Sequence, residues 1–202
     1  MQEATDYLTI SEYHSLLGAV EKKYDRLKRK SIRNLQIKER NKLLLQMMWI
    51  TAGRISDVLS IRTEDIDFHG LTIKFFVKKR NVWHTLSIDS DIALLISNYI
   101  RTLKVEGPLF TGFGKDESIL TRQYVNQMLE EYSEIAGIRK IHPHLYRHGL
   151  AMYLLSQGVP MEVISYRLNH SSTLTTAKFY ARITPDIERN IIKQHVTSLM
   201  GE

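Results

Sequence analysis

Along most of this chain apolar residues return every three or four positions, and a single stretch, residues 71–88, abandons that rhythm. Thr9 and Ser11 precede an apolar-periodic run through Leu17 and Val20, and Leu43, Leu44, Met47, Met48 and Ile50 mark a second helix apolar enough to be buried. Ser90 and Asp91 are placed to cap a helix carrying Ile92, Leu95, Ile96 and Tyr99. Thr121 is placed to cap another that carries Val125, Met128, Leu129 and Tyr132 as far as Gly137. Further helices are predicted from Pro143 to Gln157, from Pro160 to Leu168 and over Leu174 to Tyr180. A last one starts at Pro185, with Ile187, Ile191, Ile192 and Val196 at helical spacing. Within the exceptional stretch, LTIKFFVKK and VWHTLSI are rich in β-branched and aromatic residues and flank the polar pair Arg80 and Asn81, the pattern of a β-hairpin. The expected fold is mainly α with a small antiparallel β-hairpin or sheet, an α+β domain.

Four Pro, ten Gly and no repeat or low-complexity tract leave nothing that reads as a linker, so residues 1–202 are expected to form one domain. Zero Cys excludes a disulfide framework, a thiolate nucleophile and Cys-ligated zinc, so covalent chemistry has to come from hydroxyl, amine or imidazole groups. A formal net charge of +6 favours a polyanionic partner, with DNA, RNA and acidic membranes all open on charge alone. No apolar run approaches the roughly 18 residues of a membrane span, and the start MQEATDYLTI is too polar for a signal peptide. A cytoplasmic protein without membrane attachment is the expectation. The basic run KKYDRLKRKSIR reads equally as a solvated helix end and as a phosphate-contacting arm.

Most of the chemistry sits between Ile141 and Ile183, where His142, His144, Arg147, His148, His170, Lys178 and Tyr180 crowd an otherwise apolar stretch. On a helix starting near Pro143, His144 and Arg147 lie one turn apart and share the positive end of the helix, a suitable place for a phosphate. Alone, such a pair describes just as well a packed His and an Arg held by a carboxylate. Tyr180 alone reads as an aromatic anchor.

The order of the motifs is more specific. HPHLYRHG, then LNH ending at His170, 23 positions after Arg147, then TTAKFY ending at Tyr180, resembles the C-terminal signature of the tyrosine recombinases, the phage integrase and Xer-type family. Upstream, TAGRISDVLSIRTEDID resembles that family's segment carrying the first active-site Arg, which falls on Arg54, and the hairpin corresponds to the one whose turn presents a catalytic Lys. The likeness runs from about Leu8 to the C-terminus. The sequence departs from the pattern in reading Ala52-Gly53-Arg54 where Thr-Gly-x-Arg is commoner, in having Asp57 where Glu is usual, and in having Asn169 where Gly usually precedes His170.

The resemblance implies a catalytic domain with a core over roughly 8–184 and a tail helix over 185–202 that covers its own domain or docks on a neighbouring subunit. A separate N-terminal core-binding domain, usual in the family, is expected to be absent. It implies Tyr180 as nucleophile, forming a 3′-phosphotyrosyl link and freeing a 5′-hydroxyl, with Arg54 and Arg147 as paired donors to the phosphate oxygens. His170 adds a third donor, His144 accepts the tyrosine proton, and a hairpin Lys protonates the leaving oxygen. Lys79 shares parity with Ile73, Phe75 and Val77 and is preferred to Lys78, although strand register decides between them. Asp57 is expected to orient Arg54 or lie on a helix surface, His148 to support the phosphate ligands or simply pack, and His142 has no assigned role. No cofactor and no metal are implied. The expected partners are double-stranded DNA and further copies of the chain, as a tetramer on DNA. The alternatives are a type IB topoisomerase-like nicking-closing enzyme, which would use the same residues, and a non-catalytic DNA-binding module.

Overall fold

The computed structural model describes residues 6–27, 31–113 and 118–170. Tyr180, the helix predicted over 174–180 and the tail over 185–202 lie outside the described residues. Helix α1 (Ile10–Asp25) starts at Thr9, whose hydroxyl accepts the Glu12 N–H at 3.2 Å while the Glu12 carboxylate accepts the Thr9 N–H at 2.9 Å. This reciprocal cap satisfies two donors that a helix start leaves open. Glu12 also takes the Arg139 guanidinium at 2.6 Å, which ties the start of α1 to a distant loop. Helix α2 (Ile32–Thr51) is the centre of the domain. Its Leu43, Leu44, Leu45, Met47 and Met48 are buried, and it packs against α1, α4 (Ser90–Leu103) and α6 (Pro143–Ser156). Thr121 caps α5 (Arg122–Ala136) and Gly137 closes it at φ 69°, as the sequence indicates. Helix α4, by contrast, is capped by Asp89, whose carboxylate accepts the Ile92 N–H at 2.8 Å, so Ser90 and Asp91 are its first helical residues. The cap is set by where the preceding strand stops, which local composition does not show.

The predicted hairpin is β2 (Thr72–Val77) and β3 (Val82–Ser87), joined by the turn Lys78–Asn81. A two-residue strand β1 (Ile66–Asp67), too short to read from sequence, adds a third antiparallel strand beside β2. Ile73, Phe75, Val77 and Leu86 face the core, while Phe76 and Trp83 pair on the outer face with Lys74 over the Trp83 ring. Two further elements carry the site: a single-turn helix α3 (Ile55–Val58), which sequence reading missed, and α7 (Met161–Arg167). Among the described residues no helix is long and apolar enough to cross a membrane.

Helix α6 crosses the N-terminal segment so closely that the Leu8 N–H donates to the Leu145 carbonyl at 3.0 Å. A Cβ on Gly149 would stand 2.4 Å from the Leu8 carbonyl oxygen and 3.0 Å from a Trp49 ring carbon. Helix propensity favours Ala over Gly by about 1 kcal/mol, yet the obstacle here is backbone that cannot swing away. Gly149→Ala is therefore expected to destabilise the domain by about 2–3 kcal/mol in urea unfolding. An unchanged or raised midpoint would refute the close approach.

Candidate active site

The site forms where three helix ends meet: the end of α2, the start of α6 and the end of α7. At the end of α2 the Thr51 hydroxyl donates to the Met47 carbonyl at 2.7 Å and accepts the Gly53 N–H at 3.1 Å, while Ala52 turns the chain at φ 45°. Arg54 follows as the cap residue of α3, with its carbonyl accepting the N–H groups of Asp57 and Val58. Its Nη1 is buried without a hydrogen-bond partner and lies 3.9 Å from the Asp57 carboxylate. A buried guanidinium nitrogen with no acceptor is a donor held ready for an anion.

Arg147, on the second turn of α6, is only 7% exposed. Its Nη1 donates to the Ala52 carbonyl at 2.9 Å and its Nη2 to the Leu168 carbonyl, the capping residues of α2 and α7. Helix ends offer orphan carbonyls at the negative pole of the dipole, so the charge is accommodated without a salt bridge to any carboxylate among the described residues. Two of the five N–H groups of the fork are used in this way. Burial, reinforced by Arg54, lowers its pKa to about 10, so it remains cationic at neutral pH.

Helix α7 ends with the Asn169 N–H on the Tyr166 carbonyl at 2.9 Å and the His170 N–H on the Ser165 carbonyl at 3.0 Å, with Asn169 at φ 48°. This is a Schellman closure, which needs a residue tolerant of the left-handed region, and Asn serves where the related pattern has Gly. His170 is thereby delivered to the two arginines. Burial first, then the charges of Arg147, Arg54 and His148, hold its pKa down at about 4, so at neutral pH the ring is uncharged and can donate one N–H.

This shift has a consequence for stability. The unfolded chain protonates the imidazole near 6.5 and the folded one near 4, so between these values the unfolded state binds more protons. The contribution is complete above pH 6.5 and is lost as pH falls toward 4. For a half-buried ring, after solvent screening, the expected loss is about 1 kcal/mol. His170→Gln should flatten this slope in chemical unfolding between pH 6.5 and 4, and an unchanged slope would count against the buried, neutral ring.

The hairpin turn reaches the same place. Asp57 accepts a hydrogen bond from the main-chain N–H of Lys78, and burial is the largest influence on its carboxyl, whose pKa is raised. The carboxylate thus bonds the hairpin while standing near Arg54. Lys78 and Lys79 are both exposed on the turn. Strand β2 stops at Val77, so the alternation used to prefer Lys79 does not extend to either lysine. Arg80, the third of the consecutive basic residues at the turn, donates to the Asn169 side chain. On the open side, Arg54, His142, His144 and Arg147 line a cleft of about 320 Å³ together with Arg122 and Asn126 of α5. Sequence signalled these last two only as polar positions off the apolar stripe of α5. His148 lies near enough to influence His170.

Two arginines and a histidine gathered from three helix ends, beside a basic hairpin turn and within a mainly helical domain, define the class of the tyrosine recombinase catalytic domains. The chain belongs to the phage integrase family, which its residues 7–186 match. It is 31% identical over 149 residues to tyrosine recombinase XerA of Pyrococcus furiosus, covering 73% of this chain and 51% of that protein. Over 190 residues it is 25% identical to a tyrosine recombinase of Thermosipho africanus, covering 94% and 61%. The chain spans about half the length of the curated relatives it matches first. Among solved structures the fold is that of XerA recombinase, with TM-score 0.72 at 19% identity over 94% of this chain and 65% of that one. XerH recombinase bound to a palindromic difH substrate, in a post-cleavage complex, gives TM-score 0.71 at 19% identity over 92% and 52%.

Proposed function

We propose that this chain carries the strand-cutting and rejoining centre of a site-specific DNA recombinase or integrase. The observation that supports it best is the convergence of Arg54 and Arg147, with a neutral His170 at the end of α7, beside an open cleft. A phosphodiester in that cleft would meet two cationic forks and an imidazole N–H, the donors needed as charge grows on the non-bridging oxygens. Tyr180 attacks the phosphorus, its phenolic proton passes to His144, and a bond from tyrosine oxygen to phosphorus replaces the bond to the 5′-oxygen. Lys79, or Lys78, protonates the departing 5′-oxygen. The ester energy stays in the 3′-phosphotyrosyl link, so a 5′-hydroxyl of another strand reverses the step and reseals the chain without ATP.

Asp57 positions the hairpin and Arg54, and His148 supports His170. Residues 8–184 form the catalytic core, and 185–202 a tail that covers its own domain or a neighbour. The partner is double-stranded DNA, consistent with the net charge of +6 and with the difH substrate bound by the similarly folded XerH recombinase. The active form is a homotetramer on DNA in the cytoplasm.

The test uses duplexes from the native element, nicked near candidate sites so that the cut strand is lost, with a metal chelator present. A protein–DNA adduct that survives denaturant supports the reading. Binding to the same duplexes without any adduct would overturn it in favour of a binding module. Exchange of strands between two sites, as opposed to relaxation of supercoils, separates recombinase from topoisomerase.

A further inference from the structure

The hairpin turn is held from two sides, and the second holder is a pair of side chains that capping alone does not require. On one side the Asp57 carboxylate bonds the Lys78 N–H. On the other, Arg80 donates through Nη1 to the Asn169 side-chain oxygen and lies 3.5 Å from the carbonyl oxygens of Asn169 and His170. Lys79 stands between these two anchor points. We propose that the Arg80–Asn169 pair is a latch that fixes the hairpin turn against the end of α7 and so holds the turn's lysine in register with the phosphate ligands. The catalytic half of this proposal rests on the recombinase reading above.

The chemistry of position 169 supports it. The closure of α7 requires a left-handed backbone there, and glycine meets that requirement most cheaply. Asn169 instead brings an amide that is only 8% exposed. A guanidinium can only donate, so the amide must turn its oxygen toward Arg80, and its nitrogen is then left buried without a partner. An amide placed at such a desolvation cost is explained by what its oxygen holds. Arg80 has no ion pair with a carboxylate among the described residues, so Asn169 and the two carbonyls are its attachments. The same helix end takes Arg147 on the Leu168 carbonyl, and the latch therefore joins the hairpin to the segment that places both Arg147 and His170. Arg80 and Asn169 are positioning residues that act through the lysine.

Asn169→Gly separates the latch from the cap, since glycine keeps the backbone turn and removes only the acceptor. In the protein without DNA, amide hydrogen exchange at Lys78 is expected to quicken roughly tenfold in Asn169→Gly and in Arg80→Ala, with no further gain in the double variant and no change in the α2 amides. Unchanged exchange, or two independent additive gains, would overturn the latch whatever the protein does to DNA. In cleavage of a nicked duplex the same variants are expected to be roughly tenfold slower than the parent. The deficit should vanish when the scissile 5′-oxygen is replaced by sulfur, because a thiolate leaves without a donated proton. An equal deficit on both duplexes would show that the pair does not act through the lysine. A parent chain that cuts neither duplex would sink the recombinase reading and the catalytic half with it, and exchange would still decide whether the latch exists.

Discussion

Replacement of Tyr180 by Phe is expected to abolish adduct formation, by at least about 10³-fold and so to the limit of detection, while duplex binding changes less than about twofold. The two side chains differ by one hydroxyl, so the positive surface is retained and only the proposed nucleophilic oxygen is removed. No Cys is available to substitute as a covalent group, because the chain contains none. The check is a denaturing gel of labelled nicked duplex with parent and variant side by side, together with a binding titration. An adduct of undiminished yield from the Phe variant would dismiss Tyr180 and leave Lys178 or a serine to be tried.

Replacement of Arg147 by Lys, although it preserves charge, is expected to lower the cleavage rate by about 10²–10³-fold and folding stability by about 2 kcal/mol. The guanidinium bridges the Ala52 carbonyl and the Leu168 carbonyl, two points that a single ammonium cannot hold together. One carbonyl at a buried helix end then loses its donor, which accounts for the stability loss. The end of α7, where His170 sits, also loses its tether to α2, which accounts for part of the rate loss. Single-turnover cleavage and urea unfolding measure the two effects separately. A Lys variant with parental stability would show that the two-carbonyl bridge contributes nothing to the fold, and one with a parental rate would remove Arg147 from the reaction.

The helices and the hairpin were legible because each depends on a pattern contained in a few successive turns. Thr121 caps as read, and of the Thr9 and Ser11 that precede the first apolar run Thr9 is the cap, since a hydroxyl before such a run meets the same open N–H groups in any fold. The misreading of Ser90 and Asp91 for Asp89 has the opposite cause: three polar residues in a row are all competent, and the end of β3 selects among them. The single-turn α3 and the two-residue β1 carry too few residues for any period to show. Asp57 was expected to orient Arg54 or lie on a helix surface. It does lie 3.9 Å from it, but its hydrogen bond to the Lys78 main chain spans 21 positions of sequence and could not be anticipated from composition.

The sequence by itself determined the class of the chain, because the types and order of Arg54, the hairpin, His144, Arg147, His170 and Tyr180 survive any detail of packing. It also determined the mainly helical content and the need for a non-thiol nucleophile. Only the tertiary structure decided how a buried Arg147 is stabilised, that Asn169 closes α7 in a left-handed turn, and that Arg80 donates to the Asn169 side chain. The physical reason is common to the three. Arg147 and the turn at Asn169 are satisfied by main-chain carbonyls and Arg80 by an amide 89 positions away, and carbonyls, present on every residue, leave no mark in a sequence.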